Sequence, residues 1–157
     1  MTAGLLEHVV QACVCSLSLL VLAGQATAAD GLVVFKSPYS AAETASRFAA
    51  ALPERGLKLF VRIDHAAGAA SIGKTLRPTE VLIFGNPQGG TPLMECQQSL
   101  GIDLPLKALV WQDESGQVWL GYNEPAWLVA RHGGGDCPAV GAMSKGLSSL
   151  AEMVVTP

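Results

Sequence analysis

The sequence predicts an α+β domain, a largely antiparallel sheet with helices packed on one face. Three observations lead there. Short β-branched or aromatic runs alternate with segments of helical spacing. Two of those runs are separated only by Asp113-Glu114-Ser115-Gly116, which reads as a hairpin turn. A chain of 157 residues, 50% of them hydrophobic, suffices for one core and not for two domains.

The elements follow in order. Leu32 to Lys36 (LVVFK) is a short strand, interrupted by Ser37-Pro38. Ser40 then caps a helix in which Glu43 completes a capping box; Thr44, Phe48 and Leu52 share one side, and Pro53 and Gly56 stop it. Leu57 to Asp64 (LKLFVRID) alternates, with Leu57, Leu59, Val61 and Ile63 on one side and Lys58, Arg62 and Asp64 on the other, so a half-buried strand is expected. Phe60 is the one large apolar residue on its polar side.

Val81 to Phe84 (VLIF) is continuously apolar and predicts a more deeply buried strand, followed by a loop from Gly85 to Gly90. Thr91 is expected to cap the next helix, with Pro92 at its first position and Gly101 just past its end. Leu106 to Trp111 and Gln117 to Tyr122 are the hairpin strands. Asn123 is expected to cap a short helix bearing Trp127 and Leu128, which His132 and three glycines end. Val140, Met143, Leu147, Leu150 and Val154 recur at helical spacing, so a helix of about 137–154 packs on the domain.

Composition narrows function. A net charge of -3 with ten scattered Lys and Arg excludes a nucleic-acid partner, which wants a basic stripe. Residues 1–28 read as a signal peptide: the apolar stretch from Val9 to Gly24 is short for a membrane span, and Ala26-Thr27-Ala28 offers the small residues of a cleavage point. The leading MTAGLLEH departs from the usual pattern, since it carries Glu7 and no Lys or Arg. The expectation is a single domain over 29–157, periplasmic or secreted after cleavage near Ala28, with no membrane segment in the mature form. Cys13 and Cys15 would leave with the leader. An oxidising compartment then favours pairing of Cys96 with Cys137 over two buried free thiols.

Residues 68 to 75, GAASIGKT, match the phosphate-loop pattern, in which a helix after the lysine must wrap the phosphate. Leu76-Arg77-Pro78 follow instead, and Pro78 leaves no room for that helix, so no nucleotide is expected. Asp113 and Glu114 read as solvated turn residues. The serines show no nucleophile elbow and no evident histidine partner. His132 reads as a helix C-terminal residue favoured by the dipole. Trp111, Trp119 and Trp127 read as core or dimer contacts.

Three stretches together are specific: Arg62-Ile63-Asp64-His65-Ala66-Ala67-Gly68-Ala69, Leu76-Arg77-Pro78-Thr79-Glu80 and Phe84-Gly85-Asn86-Pro87. With Gly101-Ile102-Asp103-Leu104-Pro105-Leu106-Lys107 and Ala130-Arg131-His132-Gly133, the chain from about 32 to 133 resembles the family catalogued as domain of unknown function 302. The resemblance implies a curved sheet similar to one half of the TATA-binding protein, with helices on one face, as a homodimer. It also implies, for some members, haem b held by a histidine near the dimer interface. Here that residue is His65, with Asp64 to orient it and Arg62 and Arg77 to meet propionates. A neutral imidazole is a common haem ligand, and the small residues after His65 would let a flat ring approach. The alternative is a module that binds a non-haem small ligand, or a structural or interaction module, with no catalytic activity.

Overall fold

The computed structural model describes residues 29–157, so the expected leader lies outside the described residues. Strands β1 (Leu32–Ser37), β2 (Lys58–Asp64), β3 (Thr79–Gly85), β4 (Leu106–Gln112) and β5 (Val118–Asn123) form one sheet in the order β1-β5-β4-β3-β2, every pair antiparallel. The helices are α1 (Ala41–Ala51), α2 (His65–Ser71), α3 (Pro87–Cys96), α4 (Pro125–Arg131) and α5 (Val140–Val155). The α+β class and the antiparallel sheet agree with the expectation.

Because β1 and β2 lie at opposite edges, α1 between them has to cross the sheet. Ser40 caps it, its side chain accepting from the Glu43 N–H, and its apolar stripe buries Ala45, Phe48 and Ala51. The ring of Phe48 meets that of Phe84 edge-on, with centroids 5.0 Å apart. Helix α5 adds Leu147, Leu150, Ala151 and Val154 to the same core. The two helices are tied together where Arg47 Nε donates to the Val154 carbonyl at 2.9 Å. Cys96 at the end of α3 is bonded to Cys137 before α5, with Cα atoms 5.7 Å apart.

Four local expectations change. Phe60 is a bulge: Leu59 pairs with Phe84 while Val61 pairs with Ile83, so Leu59 and Val61 point to opposite faces rather than sharing one. Within β3 only Leu82, Phe84 and Gly85 are buried, because Val81 and Ile83 point away from the helices. Helix α3 starts at Pro87, five residues before Pro92; Asn86 caps it by accepting from the Gly89 N–H at 2.7 Å, and Pro87 suits its first turn. Glu124, not Asn123, precedes α4, and Asn123 still belongs to β5.

Helix α2 was not expected. Asp64 accepts from the Ala67 N–H at 2.9 Å and caps an Ala-rich run that favours helix. The front of GAASIGKT therefore lies at the end of a helix, and Gly73 turns the chain at φ +71. A helix precedes the lysine, where a phosphate loop needs one after it.

Candidate functional site at the open face of the sheet

Residues paired across an antiparallel ladder share a face. On the face away from the core, Val34 pairs with Gly121, Gly121 with Leu109, Leu109 with Val81, and Val81 with Ile63. One apolar row thus crosses all five strands. The next row is Lys36, Trp119, Trp111 and Thr79. Its two indoles stack with centroids 6.3 Å apart, and the Lys36 ammonium stands 5.5 Å from the Trp119 ring.

Gly121 is needed here because the Trp111 ring lies over it. A Cβ at that position would meet the ring at 3.1 Å and the Val33 carbonyl oxygen at 3.1 Å. Trp119 is fixed from the other side, its Nε1 donating to Asp113 Oδ2 at 2.7 Å. Asp113 also accepts from Ser115 and Gln117, and the Ser115 hydroxyl, then Trp119, lower its carboxyl to about 2.

Val34, Leu109, Val81 and Ile83 are half-buried, and at the β2 edge Val61 and Ile63 are 42% and 41% exposed. Phe60, Ile72 and Leu76 extend the exposed apolar surface along β2 and beyond α2. Among the described residues β2 pairs only with β3, so its outer edge is also open to strand pairing.

His65 begins α2 directly after Asp64, whose ladder partner is Glu80; it therefore sits just past the end of β2, and its side chain is exposed. Arg62 is paired with Glu80, a bond that raises the guanidinium pKa further. Asp64 is engaged in capping α2. Arg77 Nε donates to the Gln112 carbonyl at 3.2 Å, and its NH2 lies 3.7 Å from Glu114, leaving the guanidinium exposed. The structure thus brings Arg62, Asp64, His65 and Arg77 to one end of the sheet. An exposed imidazole beside apolar surface suits a haem ligand, whereas Arg62 is already neutralised. In the single chain His65 stands on the surface.

A concave site exists at the other end of the sheet. A cavity of about 350 Å³ is lined by Phe60, Asn86, Met94, Leu104, Pro105 and Met143, among others. A neighbouring one of about 440 Å³ shares Met143 and reaches Leu147. Its trace in the sequence is slight, the helix-start pair Asn86-Pro87 with Gly89 and Gly90, all four of which line the cavity. Among the described residues no group of three or more His, Cys, Asp or Glu could hold a metal ion, and no helix is long and apolar enough to cross a membrane.

The family model described as "Domain of unknown function DUF302" matches residues 33–150. The crystal structure of an uncharacterized conserved protein DUF302 from Bacillus stearothermophilus superposes with a TM-score of 0.66 at 20% identity, covering 81% of this chain and 97% of that one. Among curated proteins, the fluoride-specific ion channel FluC 1 of Brucella suis biovar 1 is 52% identical over 103 residues, 66% of this chain and 41% of that protein. FluC 1 of Brucella abortus biovar 1 is 52% identical over the same length, 38% of its own chain. The chain thus spans about two fifths of the length of the curated relatives it matches.

Proposed function

The chain belongs to the DUF302 family, and on that premise we propose that it is an exported homodimer in which two open sheet faces meet and His65 binds a flat apolar ligand, haem b, at the seam. The observation that carries this is the apolar row Val34, Leu109, Val81 and Ile63, only half-buried at its centre and exposed at Ile63, with the exposed His65 two residues beyond it in the chain. A contiguous apolar face of this kind on a small domain is ordinarily an interface, and a second copy is self-complementary to it. Export is supported by the bond between Cys96 and Cys137, which an oxidising compartment maintains.

In this reading His65 would hold the iron through a ring nitrogen, the open face would help exclude water, and Arg77, more exposed than Arg62, would meet a propionate. The haem would supply a redox-active iron. Protein purified after expression with added haem should show a Soret band and a dimer mass by light scattering. His65→Ala should lose the band and keep the mass; a band unchanged in that variant would reject His65 as the ligand.

A second reading is favoured by the apolar cavity between Met94 and Met143, whose flexible thioethers adapt to a bound apolar molecule. There the domain is a non-haem small-ligand carrier. In the Brucella relatives the matched region is a minority of a longer protein named as a fluoride-specific ion channel. We propose that it serves there as an attached binding or interaction module, the named channel activity being that of the whole relative. Displacement of an environment-sensitive apolar dye from the cavity, abolished by Met143→Glu and untouched by His65→Ala, separates this reading from the first.

A further inference from the structure

Away from that site, three polar side chains form one hydrogen-bonded line. His132 follows α4; its Nε2 lies 2.8 Å from Asp103 Oδ2 and its Nδ1 lies 2.9 Å from Ser99 Oγ. The 3₁₀ turn Gln98–Ile102 carries Ser99, and Asp103 comes directly after it, so one short segment sets hydroxyl and carboxylate on the two nitrogens of the same ring. The surroundings hold that arrangement. Gln97 Nε2 donates to the His132 carbonyl at 3.1 Å, and Arg131 NH1 lies 3.3 Å from the other oxygen of Asp103. The Cys96–Cys137 bond joins the segment before Ser99 to the segment after His132.

The chemistry of the line has a direction. A carboxylate only accepts, so Nε2 carries the ring proton toward Asp103, and Nδ1 presents its lone pair to the Ser99 O–H. The His132 and Asp103 side chains are only 12% and 17% exposed, while Ser99 is exposed. A shielded base behind an accessible hydroxyl is the arrangement of an activated nucleophile. It has the roles of a serine hydrolase triad with the two ring nitrogens exchanged, the carboxylate here being on Nε2. The pattern of serines along the chain gave no sign of this, because the partner of Ser99 lies 33 residues away.

We propose that Ser99 is a nucleophile activated by His132, with Asp103 as the positioning residue, and that the site accepts small activated acyl esters. Ser99 Oγ forms a bond to the ester carbonyl carbon as its proton passes to His132 Nδ1. The ester C–O bond breaks, and the leaving alcohol takes that proton. Water then attacks the acyl-serine with Nδ1 accepting its proton, which returns to Oγ as the acid departs. Ser99 is exposed rather than set in a deep apolar pocket, which fits a short acyl group rather than a long chain.

The test uses the full chain and a fluorophosphonate probe, with the modified residue read by peptide mass spectrometry. The expected result is an adduct at Ser99, abolished in Ser99→Ala and slowed roughly 100-fold in His132→Gln. Asp103→Asn should slow labelling, and Asp103→Glu should restore part of the rate at an unchanged thermal midpoint. No adduct, adducts confined to other serines, or labelling of Ser99 at the same rate in His132→Gln would each overturn the assignment. Hydrolysis of p-nitrophenyl acetate that survives Ser99→Ala would overturn it as well.

Discussion

The two faces of the sheet are built from the same kinds of side chain but meet different surroundings. On one, Leu82, Phe84, Ala108, Val110 and Leu120 lie under α1 and α5 with no exposure. On the other, Val81, Ile83, Leu109, Trp111 and Trp119 remain half-buried. The first face accounts for folding. The second leaves apolar area in water that folding alone does not remove, and a second chain would remove it. The contrast teaches that the apolar content of a strand does not locate the core: VLIF is apolar throughout, yet only alternate residues of it are under the helices.

The sharpest way to break the contrast is to truncate one residue on each face. Phe84→Ala removes a fully buried ring that meets Phe48 and should cost about 3–5 kcal/mol of unfolding free energy by denaturant titration. Ile63→Asp, on the open face at the edge, should leave the unfolding of the dilute monomer within about 0.5 kcal/mol. It should instead weaken dimerisation roughly 100-fold, or about 2.7 kcal/mol, by sedimentation equilibrium. Equal losses of folding stability in the two variants would abolish the distinction between the faces, and the dimer proposal with it.

How much of this the sequence discloses depends on the range over which each feature is decided. The strands, the hairpin and α1 follow from local signals: alternation, Asp113 to Gly116, and the cap Ser40 with Glu43. His65 is legible as a candidate from the motif around it, and the structure adds that it stands exposed at the start of α2, just past the end of β2. The bulge at Phe60 is invisible to a simple period of two, since the sequence alternates straight through the register slip. Helix α3 was hidden by Gly89 and Gly90, which suggest a loop although Asn86-Pro87 carry a sound start signal. The cavity between Met94 and Met143 and the line from Ser99 to Asp103 depend on tertiary approach, which no spacing reports.

A smaller effect tests how tightly the open face is built. Gly121→Ala places a methyl group 3.1 Å from the Trp111 ring and from a backbone oxygen of β1, so the indole has to shift by a few tenths of an ångström. The cost should be about 1 kcal/mol in folding, at the low end for overpacking, because Trp111 is half-buried and can move outward. Dimer affinity should fall with it, since a displaced Trp111 no longer lies flat over Gly121. Loss of stability without loss of affinity would place Trp111 outside the interface.

The smallest effect concerns the hairpin that holds Trp119. Asp113 accepts from Ser115 N–H at 2.9 Å, Ser115 O–H at 2.6 Å, Gln117 N–H at 3.0 Å and Trp119 Nε1 at 2.7 Å, and these bonds favour its charged form. Its carboxyl is held at about 2, below its unfolded value of about 4. The folded state therefore binds fewer protons than the unfolded one in that window. The stabilisation is complete above about pH 4 and disappears as pH falls through about 2. Solvent screens this turn, so the thermal midpoint should drop by only a few degrees between those values on this account. Asp113→Asn should flatten that part of the acid transition, since its amide neither titrates there nor serves Trp119 as two carboxylate oxygens do. Because Trp119 stacks on Trp111, the same variant should alter the near-ultraviolet circular dichroism of the indole pair at neutral pH. Acid transitions that coincide in the two proteins would show that the indole platform is held by the sheet alone.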